Sequence, residues 1–312
     1  HSRFERYWRL GKAFLQIRGR YDVYHFNSGA TLLNFPQRGL HHLDLPFYPR
    51  GKKLFATYSG CDARQKYPTI ARTSISACHN KHCYGGVCNS SEKDQQRRAG
   101  IAKMARYVSH FWAQNPDLIR FLPPGKTSFL PYAVNLPDLY RFDWREPDRK
   151  LHVVHAPSQR DAKGTAHILA AVERLKASHP GEFEFSIIEK TSYSEALKRY
   201  ADADLLIDQV LVGWYGNLAV EAMLMHKPVI ARIAKEDLIF IPIRMATEVA
   251  EAIIDANPDS LYPVLVRCVE DRGWLKHRAQ AGREYAHRWH DPGFVASLTL
   301  WKYQQVMDEP LE

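Results

Sequence analysis

Apolar residues fall along this chain in short bursts closed by small polar loops, and between the bursts they recur at helical spacing. Residues 21–26 (Tyr-Asp-Val-Tyr-His-Phe) and 53–58 (Lys-Leu-Phe-Ala-Thr-Tyr) are compact runs ending in Asn27-Ser28-Gly29 and Ser59-Gly60-Cys61-Asp62. Such runs predict strands that stop at turns. Residues 107–113 and 128–134 predict two more strands and 92–106 a helix. Asn115-Pro116-Asp117 opens a short helix, because proline's missing N–H costs nothing in a first turn. From residue 151 the rhythm restarts. Strands are predicted at 151–154, 183–188, 205–208 and 228–232, and helices at 165–177, 193–201 and 217–226, the last capped by Asn217. Ile168, Leu169, Val172 and Leu175 share one face of helix 165–177. A final helix, 292–307, has no strand after it. Strands alternating with helices argue for parallel sheets.

Residues 136–150 are polar and charged and contain Pro137 and Pro147, which predicts a linker. The expected organisation is a first domain over 1–140, a second over 141–291, and a terminal helical segment over 292–312. The 312 residues suit two domains of roughly 150 residues each. Two α/β domains that each place ligands at the carboxyl ends of their strands would face a cleft. No internal repeat is visible.

Apolar residues make up 45% and charged residues 25%, an ordinary globular balance that excludes a disordered or collagen-like chain. No run approaches about 18 apolar residues, so no spanning helix is expected. His1 is followed by no apolar leader core, which reads as a processed or engineered piece of a cytoplasmic protein. The net charge of +9 favours anionic partners but is spread along the chain, so nucleic acid is not an expected partner. Residues 3–20 combine Phe4, Tyr7, Trp8, Phe14, Leu15 and Ile17 with Arg3, Arg6, Arg9, Lys12, Arg18 and Arg20. They predict an amphipathic helix that either covers a sheet face or meets acidic lipid at the inner membrane surface. Five cysteines in a long chain do not suggest a disulfide framework. Cys78, Cys83 and Cys88 are spaced C-x4-C-x4-C with His79 and His82 between them, so a structural zinc, completed by Cys61 or a histidine, stands against a loop of ordinary thiols. Cys268 suggests nothing.

The chemistry concentrates at residues 208–230, where a strand ends, Gly213 and Gly216 follow, and a helix starts near Asn217. Free N–H groups and the helix dipole make such a start an anion site. Glu221, one turn in, is placed either to accept hydrogen bonds from a ribose diol or simply to sit near a favourable dipole.

This segment resembles the signature of GT-B-fold retaining glycosyltransferases, the large bacterial family four (glycosyl transferases group 1): Glu-Gly-Phe-Gly-x-x-x-x-Glu-Ala-Met-Ala-x-Gly-x-Pro-Val-Ile. The chain supplies Gly213-Trp214-Tyr215-Gly216, Glu221-Ala222-Met223 and Lys227-Pro228-Val229-Ile230, preceded by the family-like Tyr200-Ala-Asp-Ala-Asp-Leu205. The resemblance implies a GT-B fold of two Rossmann-like domains facing a cleft, with the terminal helix packing back toward the first. It implies a metal-independent retaining transferase that moves a hexose-type sugar from a UDP- or GDP-type donor to a glycan or lipid-linked acceptor, as in polysaccharide biosynthesis. Glu221 would hold the donor ribose. Lys163, Gly164, Arg160 and Ser158 match or neighbour the family's diphosphate loop within His155-Ala-Pro-Ser-Gln-Arg-Asp-Ala-Lys-Gly164, and Gly216 and Asn217 would complete the donor site. The family's first glutamate falls on Gly213, a substitution shared by relatives with a Gly-Trp-Tyr-Gly version. In the first half, Thr57-Tyr-Ser-Gly-Cys-Asp-Ala-Arg64 resembles the loop facing the donor sugar. There Ser59 replaces the usual histidine, and Asp62 and Arg64 are candidates for sugar or acceptor contacts. His25 resembles a position lining the acceptor side, so Asp62, His25 and Gly213 are the expected positions of the reacting end. Leu130-Pro-Tyr-Ala-Val-Asn135 resembles the turn that closes the family's first domain. The strand and glycine-rich loop that usually open that domain have no counterpart, which implies an abbreviated or truncated first domain. The alternative is a GT-B shell that binds nucleotide or glycan without turnover, because Gly213, Ser158 and Ser59 remove groups the family usually carries.

Overall fold

The computed structural model describes residues 3–140, 142–144 and 150–308. Its contacts divide the chain into two compact units, one of His1–Pro68, Asn89–Leu130 and Ala296–Glu312 and the other of Thr69–Cys88 and Pro131–Val295.

In the first unit, α1 (Arg3–Ile17) precedes β1 (Val23–Phe26) and β2 (Lys53–Tyr58). Next is α2 (Lys66–Arg72), whose residues from Thr69 onward belong to the second unit, and then α3 (Ser91–Met104), β3 (His110–Ala113) and β4 (Thr127–Phe129). The strands pair in parallel in the order β1-β2-β3-β4, with Val23 opposite Lys53 and Phe55 opposite His110. β2 and β3 are buried on both faces, which is why they read as continuous apolar runs rather than alternating ones. Leu54, Ala56, Tyr58, Met104, Phe111 and Leu118 form the core. The strand expected over 128–134 ends at Phe129, since Pro131 has no N–H to continue a ladder.

The second unit opens with β5 (Leu151–His155), α4 (Arg160–Lys163), α5 (Thr165–Ser178), β6 (Phe183–Ile187), α6 (Tyr193–Ala201) and β7 (Leu205–Gln209). It continues through α7 (Asn217–Leu224), β8 (Val229–Ala231), α8 (Ile243–Ala252), β9 (Ile254–Asp255), α9 (Leu261–Glu270) and α10 (Arg272–Trp289). Its parallel sheet runs β6-β5-β7-β8-β9. The terminal helix α11 (Pro292–Asp308) groups with the first unit from Ala296 onward, where Tyr303 packs on His25 and Phe55.

Three boundaries differ from the sequence pattern. Residues 69–88 belong to the second unit, because Ile75, Ala77 and Cys83 pack on its core beside Leu151, Ile168 and Leu211. The first stretch of the expected linker is packed in, with Leu136 and Tyr140 buried, while 141 and 145–149, Pro147 included, lie outside the described residues. The cap of α7 is Gly216 in extended conformation, and Asn217 is its first helical residue with no capping hydrogen bond.

Candidate functional site

In the second sheet β5 pairs with β6 on one side and β7 on the other, so its topological switch point lies between β5 and β7. Loops leaving the carboxyl ends there run apart and open a ligand crevice. Asp208 stands at that place, inside a register irregularity of β7 that re-aims its side chain. Its fully buried carboxylate accepts from Lys163 Nζ at 2.6 Å and from the Gly216 N–H at 2.6 Å.

Each partner is held by local sequence. The Gln159 side chain caps α4 at Ala162, and Gly164 ends it at φ +79°. A Cβ on Gly164 would lie 2.5 Å from Val210 Cγ2, so only glycine fits, while the Val210 N–H donates to the Lys163 carbonyl at 3.1 Å. The amide of Gln209 organises the next loop. Its Oε1 accepts from the N–H groups of Leu211 and Val212, and its Nε2 donates to the carbonyls of Trp214 and Arg232. Tyr215 pins the loop from below through hydrogen bonds to Tyr285 and His290, whose Nδ1 meets the Tyr132 carbonyl. The Lys163 ammonium lies 3.4 Å from where a Cβ on Gly216 would be, against the start of α7. One turn on, the buried Glu221 accepts from the Tyr193 hydroxyl at 2.9 Å. Burial holds the Glu221 carboxyl above the usual range, the Tyr193 hydrogen bond opposes this, and the nearby Asp208 charge adds to it. Tyr193 and Tyr200, packed near that carboxyl, are pushed up to about 12, chiefly by burial. The result is a fixed ammonium, a helix start and a buried carboxylate within one cluster, which suits a ligand with phosphates at one end and hydroxyls beside them.

The remaining expected donor residues sit differently. Arg160 turns to Glu189 in a two-pronged surface ion pair at 2.8 and 2.6 Å, and Ser158 is exposed in the same loop. Gly213 has φ +92°, and a Cβ there would meet Arg232 Nη1 at 2.8 Å and Ala234 Cβ at 3.0 Å. The left-handed backbone strains any side chain at this position, and Gly213 offers no side chain for chemistry. His155 lies deeper, its Nδ1 on the Ile207 carbonyl and its Nε2 on Thr165 Oγ1, and burial pushes it down to about 4.

In the first unit the candidate reacting groups are tied into the fold. Asp62 accepts from the N–H groups of Ser59, Gly60 and Ala63 and so shapes the loop after β2. Arg64 makes a buried two-pronged pair with Asp117 at 2.6 and 2.8 Å, and Ser59 Oγ bonds Gln114. His25 is engaged at both ring nitrogens by Tyr303 and Thr57, and burial pushes it down to about 4. Among the described residues no group of three or more His, Cys, Asp or Glu is placed to hold a metal ion. Cys78 and Cys83 fall in separate turns, Ala77–His79 and Cys83–Gly86.

Sequence reasoning missed Asp208, Gln209, Tyr193 and Arg232. Asp208 and Gln209 carried a signal, since two polar residues close an otherwise apolar strand. Tyr193 and Arg232 carried none, because their roles depend on partners 28 and 159 residues away.

No family model matches the chain, and no curated protein matches it in sequence. Solved structures do. A sucrose-phosphate synthase from Thermosynechococcus elongatus matches with a TM-score of 0.61 at 15% identity, over 98% of this chain and 80% of that one. Anabaena HepE in complex with UDP matches at 0.60 and 13% identity, over 95% and 82%. A glycosyltransferase from Rickettsia africae matches at 0.57 and 12% identity, over 99% and 83%. At such identities the likeness is one of architecture: the chain has the GT-B fold, built of two Rossmann-like units.

Proposed function

We propose that the protein is a metal-independent, retaining glycosyltransferase that moves a hexose-type sugar from a UDP- or GDP-type nucleoside diphosphate to a hydroxyl of a glycan or lipid-linked acceptor. The observation that carries the reading is the Lys163 ammonium, anchored by Asp208 against the start of α7, one turn from the buried Glu221. Lys163 and the α7 N–H groups offset charge on the diphosphate, and Glu221 accepts from the ribose hydroxyls. In the reaction the bond from the anomeric carbon to the diphosphate oxygen breaks and a bond to the acceptor oxygen forms. Negative charge grows on the leaving diphosphate, where a fixed ammonium stabilises it without a metal. Retention then rests on positioning and leaving-group stabilisation, since Asp62 and His25 are committed to structural hydrogen bonds. HepE, similar in fold, has been solved with UDP, with UDP and glucose, and with UDP-glucose, which supports a UDP-type donor.

A thermal-shift series with UDP, GDP and their sugars tests the donor site. A ligand at a hundredfold excess over Kd stabilises by about 2.7 kcal/mol, and Glu221→Ala should abolish that shift. Sugar transfer or donor hydrolysis in the presence of a chelator then separates the enzyme from a shell that binds without turnover. Binding without either reaction would favour the shell.

We propose further that α1 meets acidic lipid. Its outward face carries Trp8 and Leu15, 59% and 64% exposed, with Lys12 reaching over the Trp8 ring and Arg20 and Phe47 exposed nearby. No helix among the described residues is long and apolar enough to cross a membrane. Aromatic anchors among cations suit an anionic interface, where each cation adds roughly fivefold to binding. Co-sedimentation with phosphatidylcholine vesicles, with and without phosphatidylglycerol, should show binding only to the mixed vesicles. Lys12→Gln with Arg20→Gln should weaken it.

A further inference from the structure

Arg232, just past the end of β8, is a buried guanidinium with little to hold it. It is 8% exposed, and its hydrogen bonds are two long ones, at 3.4 Å to the Leu211 carbonyl and 3.4 Å to Thr73 Oγ1. Among the described residues no carboxylate forms an ion pair with it. The acids around it are engaged elsewhere: Asp237 and Glu236 pair with Arg72 at 3.0 and 3.6 Å, and Asp255 accepts from the Ile233 N–H at 2.9 Å. Burial accordingly lowers its affinity for the proton, with Arg72 adding to this and those three acids opposing it.

A guanidinium presents five N–H donors in a rigid fork, and a buried one normally has a partner in the same plane. Removing such a charge from water without a partner is costly, so its retention points to a ligand that supplies the anion. Its place agrees. Arg232 Nη1 lies 2.8 Å from where a Cβ on Gly213 would stand, and three residues along the same loop Gly216 faces Lys163. The two cations thus stand against the loop that leaves the switch point, one at Gly213 and one at Gly216. Gly213 takes a backbone of φ +92°, and the guanidinium stands where its side chain would be.

On the reading that the loop holds a nucleoside diphosphate sugar, we propose that Arg232 is the second anion-binding residue of the donor site. It binds an anionic group of the donor, either the diphosphate beside Lys163 or a carboxylate on the transferred sugar.

The test measures binding of inorganic pyrophosphate, UDP, UDP-glucose and UDP-glucuronate to the full chain by calorimetry, in wild type, Arg232→Gln and Arg232→Lys. Arg232→Lys keeps the charge and guards against loss of fold in Arg232→Gln. If Arg232 holds a sugar carboxylate, wild type prefers UDP-glucuronate to UDP-glucose by tenfold or more. Both variants then lose that preference while UDP binding is kept. If it holds the diphosphate, pyrophosphate, UDP and both sugars weaken together in Arg232→Gln by roughly tenfold, the scale of a lost charged hydrogen bond, and Arg232→Lys recovers part. Unchanged affinities in a folded Arg232→Lys and Arg232→Gln overturn the proposal and leave the donor reading standing. Failure of wild type to bind any of the four overturns both.

Discussion

At the scale of single residues, groups that hold the fold differ from groups that the proposed function assigns to a ligand. Arg64 and Asp117 belong to the first kind: their pair is buried and two-pronged, with side chains each 9% exposed. Removing one partner strands the other charge, so Arg64→Leu should cost about 3–5 kcal/mol in urea unfolding. Arg64→Leu with Asp117→Leu should cost much less. Glu221 belongs to the second kind. On that proposal ribose hydroxyls donate to the ionised carboxylate, and burial keeps its proton on to a higher pH than usual. Nucleotide affinity should therefore fall on acidification, starting at a higher pH than for an ordinary carboxylate, and Glu221→Gln should bind weakly at every pH, as calorimetry can check. Glu221, Lys163 and Gly164 were legible in the sequence because each belongs to a short local motif. For Arg64 and Asp62 the sequence neighbourhood resembles a site loop, and the partners they take on folding are Asp117 and the turn N–H groups.

At the scale of elements, the strand–loop–helix units of both sheets were readable because buried parallel strands are continuous apolar runs bounded by turns. The loops they support are rigid for stated reasons. Gly164 is the clearest case: left-handed backbone and the approach of Val210 both exclude a side chain. Gly164→Ala should destabilise by about 2–4 kcal/mol in thermal or urea unfolding, and nucleotide affinity should drop with it because Lys163 shifts. Helices α8 to α10 escaped the sequence reading. In α10 only Leu275, Ala279, Gly282, Tyr285 and Ala286 are buried, and its apolar stripe is diluted by small residues among Arg, His and Lys.

At the scale of the whole molecule, buried histidines set the response to acid. His25, His42, His110, His155 and His290 are each pushed down to about 4, first of all by burial. An unfolded histidine titrates near 6.5, so the unfolded chain takes up these protons first. Their contribution is complete above about pH 6.5 and is lost as pH falls toward 4. Each site adds a slope approaching 1.4 kcal/mol per pH unit, so the five together should give a steep acid transition in unfolding monitored by circular dichroism. His155→Gln should flatten it by about one proton.

The sequence by itself determined the α/β class, the parallel strands, the order of the strands through β8 and the strand–loop–helix motif that carries Lys163, Gly216 and Glu221. All of these rest on local periodicity and short-range backbone needs. Tertiary structure alone decided that Asp208 locks Lys163 to the α7 start, that residues 69–88 join the second core, that Tyr303 and Thr57 engage both ring nitrogens of His25, and that Arg232 fills the space beside Gly213. In each of these cases the decisive partner lies on a different loop or strand, and neither spacing nor composition carries that information.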